Sequence, residues 1–413
     1  MTDPGAPRPG RKRKPTIRAT DVRGAKYLRG VLDMLRPLRA HRDCPNRRLH
    51  YDEYAAYILL YFFNPIVTSM RGLQQVSTLR KIHRKLGLPR FSLGSFSEAR
   101  NVFDPALLVP LIEHLAAEAD DLGDHPELSA LDKVLTAVDG TLLHALPKMV
   151  WALWVDDEHR AAKMHLEYRI LEGVPVSATV TDGNGNERTV LRERLSAGKL
   201  YVLDSGYAEY ALLAAIADAG SSFVVRLRNN AAYEVVEERA VSASARRVGV
   251  HHDRIVRLGE RHTPALRDRT VRLVELRVRD QQVLLGRKRR CRRTDRKTKT
   301  HLEPRAEYTV LLATDQLDLD AELVAEIYRS RWQIELFFRW FKVVLGAEHL
   351  LAQSRNGVAL MVYCALIASL LLTVWTASKP TKRTFEMISL FLAGWADEDE
   401  LVAHIEKLQP AVD

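Results

Sequence analysis

Residues 321–345, AELVAEIYRSRWQIELFFRWFKVVL, constrain the fold more than any other stretch of the chain. At roughly 100° per residue, Tyr328, Arg331, Glu335, Arg339 and Lys342 fall in one polar stripe about 80° wide. Ile327, Ile334, Phe338, Phe341 and Leu345 lie on one flank, and Leu336, Phe337, Trp340 and Val344 on the other. A helix that is apolar on nearly every side belongs in a core. A polar stripe on such a helix must meet water, a partner or a ligand, because unpaired buried charge is costly. A solvated face with an Arg331–Glu335 pair is the simpler reading. Aromatic density on both flanks argues instead for a single long, buried helix.

The stretch around 131–221 has a different texture. Residues 134–138 form a short apolar run that stops at Asp139-Gly140, and residues 200–203 form another that stops at Asp204-Ser205-Gly206. HLEYRILEG and VPVSATVTDGNGN read as two strands around Gly173. NERTVLRERLSAG reads as a helix closed by Gly198, and YALLAAIADAG as a further helix. Strand, hairpin, helix, strand, helix is an α/β core. In parallel α/β sheets functional groups collect at strand carboxyl ends. Asp139 and Asp204 are placed there by the pattern, and Glu335 from the packed helix would add a third carboxylate. Three carboxylates on one spot repel one another unless a cation lies between them. Mg²⁺ suits an all-oxygen site that retains water. A pair of such ions can activate an attacking oxygen and stabilise the leaving one in a phosphoryl displacement. Each Asp-Gly taken alone is more simply a turn.

Around this core the chain divides by composition. Residues 1–29 carry nine Lys or Arg against two acids and read as a disordered basic arm. Residues 30–130 are helical in pattern and read as an all-helical N-terminal DNA-binding domain, with Ser95 or Ser97 as a helix N-cap. The expected core occupies 131–221 and resumes at 307–378, where YTVLLATD precedes the Glu335 helix. Residues 222–306 read as an inserted β-rich module of short strands, including FVVRLRN, YEVVEERAV, DRIVRLG, TVRLVELRVRD and QQVLLG. Residues 379–413 form a helical tail. The insertion ends in a basic run, residues 287–299, with nine cations and one acid. It includes Arg287, Lys288, Arg289, Arg290, Arg292 and Arg293, which are candidate contacts to DNA phosphate; a solvated loop is the alternative.

Charge and cysteine content narrow the partner classes. The 413 residues hold 62 Lys plus Arg against 52 Asp plus Glu, a formal charge of +10 that suits a polyanion. Three cysteines, Cys44, Cys291 and Cys364, with no C-x-x-C pair, give neither a disulfide framework nor a zinc site, so a reducing cytoplasmic setting is expected. The N-terminus lacks the apolar segment of a secretory signal. The uncharged run 357–378 is long enough to span a bilayer, but a core helix is the favoured reading and no membrane partner is expected. Asp182-x-Asn184-x-Asn186 with Glu193 imitates a calcium loop, yet Glu187 stands where glycine is needed, so a strand-to-helix turn is expected. His251, His252 and His262 have no zinc-ligand spacing. Tyr328 as a recombinase nucleophile would not call for carboxylates.

Tyr328-x-x-Arg331-x-x-x-Glu335-x-x-x-x-x-x-Lys342 resembles the YREK signature of bacterial insertion-sequence DDE transposases of family four. Asp139-Gly140-Thr141 and Leu203-Asp204-Ser205-Gly206-Tyr207 resemble that family's first and second acidic motifs, in the right order. The resemblance covers roughly residues 45–378. It implies an RNase H-like core with a β-rich insertion, and a catalytic, metal-binding triad of Asp139, Asp204 and Glu335. It implies Mg²⁺, with Mn²⁺ as a substitute. Tyr328, Arg331 and Lys342, with Arg339 on the same stripe, would engage transposon-end DNA. The partners implied are double-stranded DNA, as terminal inverted repeats and target, and a second copy of the chain in the DNA complex. The implied activity is hydrolysis at the element's end followed by strand transfer, in the cytoplasm at the nucleoid; the alternative is an inactive DNA-binding remnant. Some family members form a hairpin with help from a base-holding aromatic. No Trp lies between Trp154 and Trp332, which makes Tyr233 the obvious aromatic substitute in the insertion.

Overall fold

The structure is a computed structural model. It describes residues 25–41, 48–63, 67–119, 126–144, 149–152, 154, 160–259, 266, 269–278, 308–346, 350–379, 381–393 and 395–407. The basic run 287–299 and most of the arm 1–29 lie outside the described residues.

The chain is mixed α/β, with one nine-stranded sheet and many helices. The strands are β1 (Val134–His144), β2 (Ala161–Arg169), β3 (Val174–Asp182), β4 (Lys199–Leu203), β5 (Ser222–Leu227), β6 (Tyr233–Arg239), β7 (Val250–Leu258), β8 (Thr270–Val278) and β9 (Tyr308–Thr314). Their order across the sheet is β3-β2-β1-β4-β5-β9-β8-β7-β6. β1, β4 and β5 are parallel, and every other pairing is antiparallel. The β2–β3 hairpin turns at Gly173, whose φ of 69° favours glycine.

The strands of residues 222–306 do not form a sheet of their own. β5 lies parallel to β4 inside the core, and β9 carries β8, β7 and β6 outward in the same sheet. A strand returning beside β5 satisfies an edge that would otherwise stay unpaired, which local strand patterning cannot reveal. The module also holds a short helix, Ala243–Arg247, and the expected strand QQVLLG lies outside the described residues.

Helices build the remainder. Ala25–Leu35, Tyr51–Phe63, Met70–Ser77, Arg80–Leu86, Leu93–Val102 and Val109–Glu118 confirm the helical texture of the N-terminal part. The helix at 93 is capped by Ser92, which accepts from Ser95 N at 3.0 Å, rather than by Ser95 or Ser97. Tyr51 stacks on Phe103 at 4.5 Å, and its hydroxyl donates to Asp104 O at 2.7 Å.

Arg355–Thr376 is the one helix among the described residues long and apolar enough to cross a membrane, and 83% of its apolar window is buried in the protein. It packs against helices Tyr51–Phe63 and Val109–Glu118 and against β3. Asn356 Nδ2 donates to Arg100 O and Phe103 O at 2.8 and 2.7 Å, and Tyr363 donates to Ala178 O at 2.9 Å. One continuous core therefore joins the N-terminal helices to the sheet. The expected core-helix reading of this run holds.

Two expected helices are shorter or less regular than their pattern. The one after β3 runs only Glu187–Arg192, capped by Asn186, and the chain leaves it before the turn at Gly198. That cap, with Asn184 N donating to Asp182 Oδ1 at 2.9 Å, makes residues 182–186 a strand-to-helix turn, as expected. The long helix of 321–345 is in fact Ala321–Ser330 and Trp332–Arg339, separated at Arg331, and then a π-helical turn at Trp340–Val344. One flank is buried as expected, but Leu336 on the other is 49% exposed, and Trp332 and Val343 are also exposed.

Candidate active site

Asp139 is inside a strand, not at its end: β1 continues to His144 against β2, with Asp139 opposite Leu166. The parallel ladder between β1 and β4, however, stops at Ala137 opposite Val202. Asp139 thus lies just past the last parallel pair, and Asp204 follows the last residue of β4. The two acids stand together at the carboxyl end of neighbouring parallel strands, as the sequence suggested, although only β4 ends there.

Gly140 lies in the strand, not in a turn, and the Glu187 and Lys163 side-chain ends approach its Cα closely. A Cβ at that position would sit 2.6 Å from Glu187 Oε1. Glu187 begins the helix after Asn186 and is paired with Lys163 Nζ at 2.7 Å. It is a fourth carboxylate beside Asp139, and sequence reasoning missed it; its only sequence signal was its place in the false calcium loop. Asp139 Oδ1 accepts from Gly140 N at 2.8 Å, and Asp204 Oδ1 accepts from Gly206 N at 2.7 Å.

Arg331 is the residue that gathers the site. Its guanidinium reaches Asp139 Oδ2 at 3.4 Å and Glu335 Oε1 at 2.5 Å, bridging positions 192 and 4 residues away along the chain. The simple i,i+4 pair is therefore present, but it is half of a three-residue bridge with a largely buried arginine at its centre, 14% exposed. Tyr328 lies beneath, its ring centroid 5.9 Å from Arg331 Cζ. Burial pulls the Arg331 pKa down, but Tyr328, Asp139 and Glu335 outweigh it and hold the group firmly charged.

Burial pushes Asp139 up to about 7; Arg331 and the Gly140 N–H oppose this, while Asp204 and Glu187 add to it. The Tyr207 hydroxyl is pushed far above its ordinary value, by burial first and then by Glu187, Asp139 and Asp204. Burial also raises Tyr328.

The remaining stripe residues diverge. Arg339 is exposed, and Lys342 lies in the π-helical turn, half-buried. Tyr233 packs partly against the core at the edge strand. His252 pairs with Glu238 at 2.9 Å and stacks on His251. Among the described residues no three His, Cys, Asp or Glu side chains are arranged to hold a metal ion. Asp139 and Glu335 meet through Arg331 instead.

A family model described as the transposase DDE domain matches residues 130–371, a span that holds all of Asp139, Asp204, Arg331 and Glu335. The chain belongs to the transposase DDE domain family. A protein of Sinorhizobium fredii named as transposase y4zB is 31% identical over 216 residues, 52% of this chain and 53% of its own. A protein of Geobacillus stearothermophilus, named as a transposase for insertion sequence element IS5377, is 23% identical over 299 residues, 72% of this chain and 71% of its own. The chain thus spans about half the length of the first of these relatives. The cryo-EM structure of the piggyBac transposase synaptic complex with hairpin DNA aligns with a TM-score of 0.41 at 10% identity, over 95% of this chain and 84% of that one. The expected family, a bacterial insertion-sequence DDE transposase, is confirmed by the domain match and by the names of the relatives.

Proposed function

We propose that this chain is a divalent-metal-dependent transposase that hydrolyses phosphodiesters at transposon ends and joins the freed 3′-hydroxyl to target DNA, on an RNase H-like core. The observation that carries the reading is the Arg331 bridge, which draws Asp139 and Glu335 together beside Asp204. The donor chemistry suits a hard dication, although the described side chains do not close around one point. All are carboxylate oxygens, and Asp139 holds its proton to about pH 7 because burial, with Asp204 and Glu187, outweighs Arg331 and the Gly140 N–H.

Asp139, Asp204 and Glu335 would hold Mg²⁺, with Mn²⁺ as a substitute. When bound, the metal supplies positive charge that activates water and stabilises the leaving oxygen. Arg331 keeps the two carboxylates oriented, and its planar fork is matched to phosphate as well as carboxylate. Tyr328, Arg339 and Lys342 extend the same surface toward the DNA strand. Arg287, Lys288, Arg289, Arg290, Arg292 and Arg293 would bind backbone phosphate, and a second copy of the chain would complete the DNA complex at the nucleoid.

The test is nicking of DNA carrying the element's terminal repeats. Asp139→Ala, Asp204→Ala and Glu335→Ala should each abolish Mg²⁺-dependent cleavage while DNA binding stays near the wild-type level. Wild-type cleavage by Glu335→Ala would refute the triad, and binding without nicking by the unmodified chain would identify an inactive remnant.

A further inference from the structure

Tyr207 carries an oxygen that its packing does not need. Its N–H donates to Asp204 O at 3.1 Å, which fixes it one tight turn after the second acid. The ring is fully buried among Val138, Leu191, Leu203 and Leu212. Phenylalanine would fill that space equally well. The hydroxyl has no hydrogen-bond partner, which is a costly state for a buried polar group. Val138 and Leu203, in the same buried cluster as the ring, are the residues that immediately precede Asp139 and Asp204, so the ring packs beneath the two acids, and after burial the charges of Glu187, Asp139 and Asp204 raise its hydroxyl further. A neutral phenol has one proton to donate, and these carboxylates are the acceptors around it. Their known bonds, from Gly140 and Arg331 to Asp139, from Gly206 to Asp204 and from Lys163 to Glu187, leave lone pairs unused.

We propose that Tyr207 is a positioning residue of this cluster: its hydroxyl donates to one of the Asp139, Asp204 and Glu187 carboxylates when a divalent cation is bound, and fixes that carboxylate's orientation. The inference rests on the metal-dependent reading above.

The experiment compares wild type, Tyr207→Phe and Asp204→Asn as full-length proteins. Mg²⁺ affinity is measured by calorimetry, and melting temperature with and without the ion. Without cation, Tyr207→Phe should melt about 2 °C or more above wild type, because an unsatisfied buried hydroxyl is gone. Its Mg²⁺ affinity should nevertheless fall about tenfold, the loss of one hydrogen bond to a charged acceptor. A residue that serves packing alone would leave affinity unchanged. If wild type binds Mg²⁺, Asp204→Asn does not, and Tyr207→Phe binds as wild type, the role of Tyr207 is overturned and the metal reading stands. If wild type binds no divalent cation, the metal reading fails and the role of Tyr207 with it. A lower cation-free melting temperature for Tyr207→Phe would mean that the hydroxyl is already bonded in the fold, and would also overturn the inference.

Discussion

Asp139 is both removed from water and close to other acids. The fold retains its proton to about pH 7, whereas an unfolded chain releases it near 3.9. Between those values the native state binds the extra proton, so the stability tied to this group is complete below about pH 4 and is lost as pH rises through 7. Asp139→Asn cannot ionise. In divalent-free buffer it should melt above wild type at pH 8, with a smaller gap at pH 5, in thermal scans at the two values. Arg331 meets the opposite constraint, since its removal would leave Asp139 and Glu335 facing each other without a cation. Arg331→Ala should therefore reduce cleavage at saturating DNA by at least about tenfold, read in single-turnover nicking. Equal rates for the two proteins would confine Arg331 to a structural role.

Among elements, the helix that carries Tyr328 is held by a device far from the chemistry. Arg272 on β8 and Asp253 on β7 form a buried bidentate pair, 2.8 and 2.7 Å, with side chains 6% and 4% exposed. The same guanidinium donates to Leu317 O at 3.1 Å and to Leu319 O, in the loop that leads into Ala321–Ser330. Breaking one side of such a pair strands a buried charge and costs about 3–5 kcal/mol. Asp253→Asn should lower unfolding free energy by roughly that range, measured by urea denaturation. Replacing both partners with apolar residues should recover much of the loss. The outer strands β6, β7 and β8 thus serve the site through its supporting loop rather than by contact.

Across the whole molecule, the Arg355–Thr376 helix makes the N-terminal helices and the sheet one cooperative unit. Leu360, Leu366, Leu370 and Leu372 are fully buried in the joint core. Deleting residues 1–130 would expose this helix, so a 131–413 fragment should be insoluble or bind hydrophobic dyes, and a soluble fragment with native near-UV dichroism would contradict the shared core. DNA affinity belongs to the same scale. With a net charge of +10, binding should weaken with salt, and each phosphate contact should add about −0.9 to the slope of log K against log salt on duplex DNA. Neutralising four cations within 287–299 should flatten that slope and weaken binding to all sequences alike, with cleavage at saturation little changed. An unchanged slope would move the DNA path to the N-terminal arm and helices.

The sequence by itself determined the α/β class and the family, and it singled out Asp139, Asp204 and Glu335 as candidates. Short apolar runs marked the parallel strands, and the spacing from Tyr328 to Lys342 together with two Asp motifs named the family. An apolar run of 22 residues was readable as a core helix because it stands alone in a chain of α/β pattern, and a helix packed between neighbours is apolar on every side. Local patterning carries the period of an element, however, and not its partners. Only the tertiary structure decided that β6–β9 extend the core sheet, since pairing with β5 is a long-range choice. Likewise, the helix of 321–345 is only locally interrupted at Arg331, whose backbone stays helical, while its guanidinium reaches Asp139, a contact across 192 positions that no window of sequence contains. Glu187 came to lie beside Gly140, and the Tyr207 ring came to be buried one tight turn after Asp204, for the same reason: both exist only once the strands are side by side.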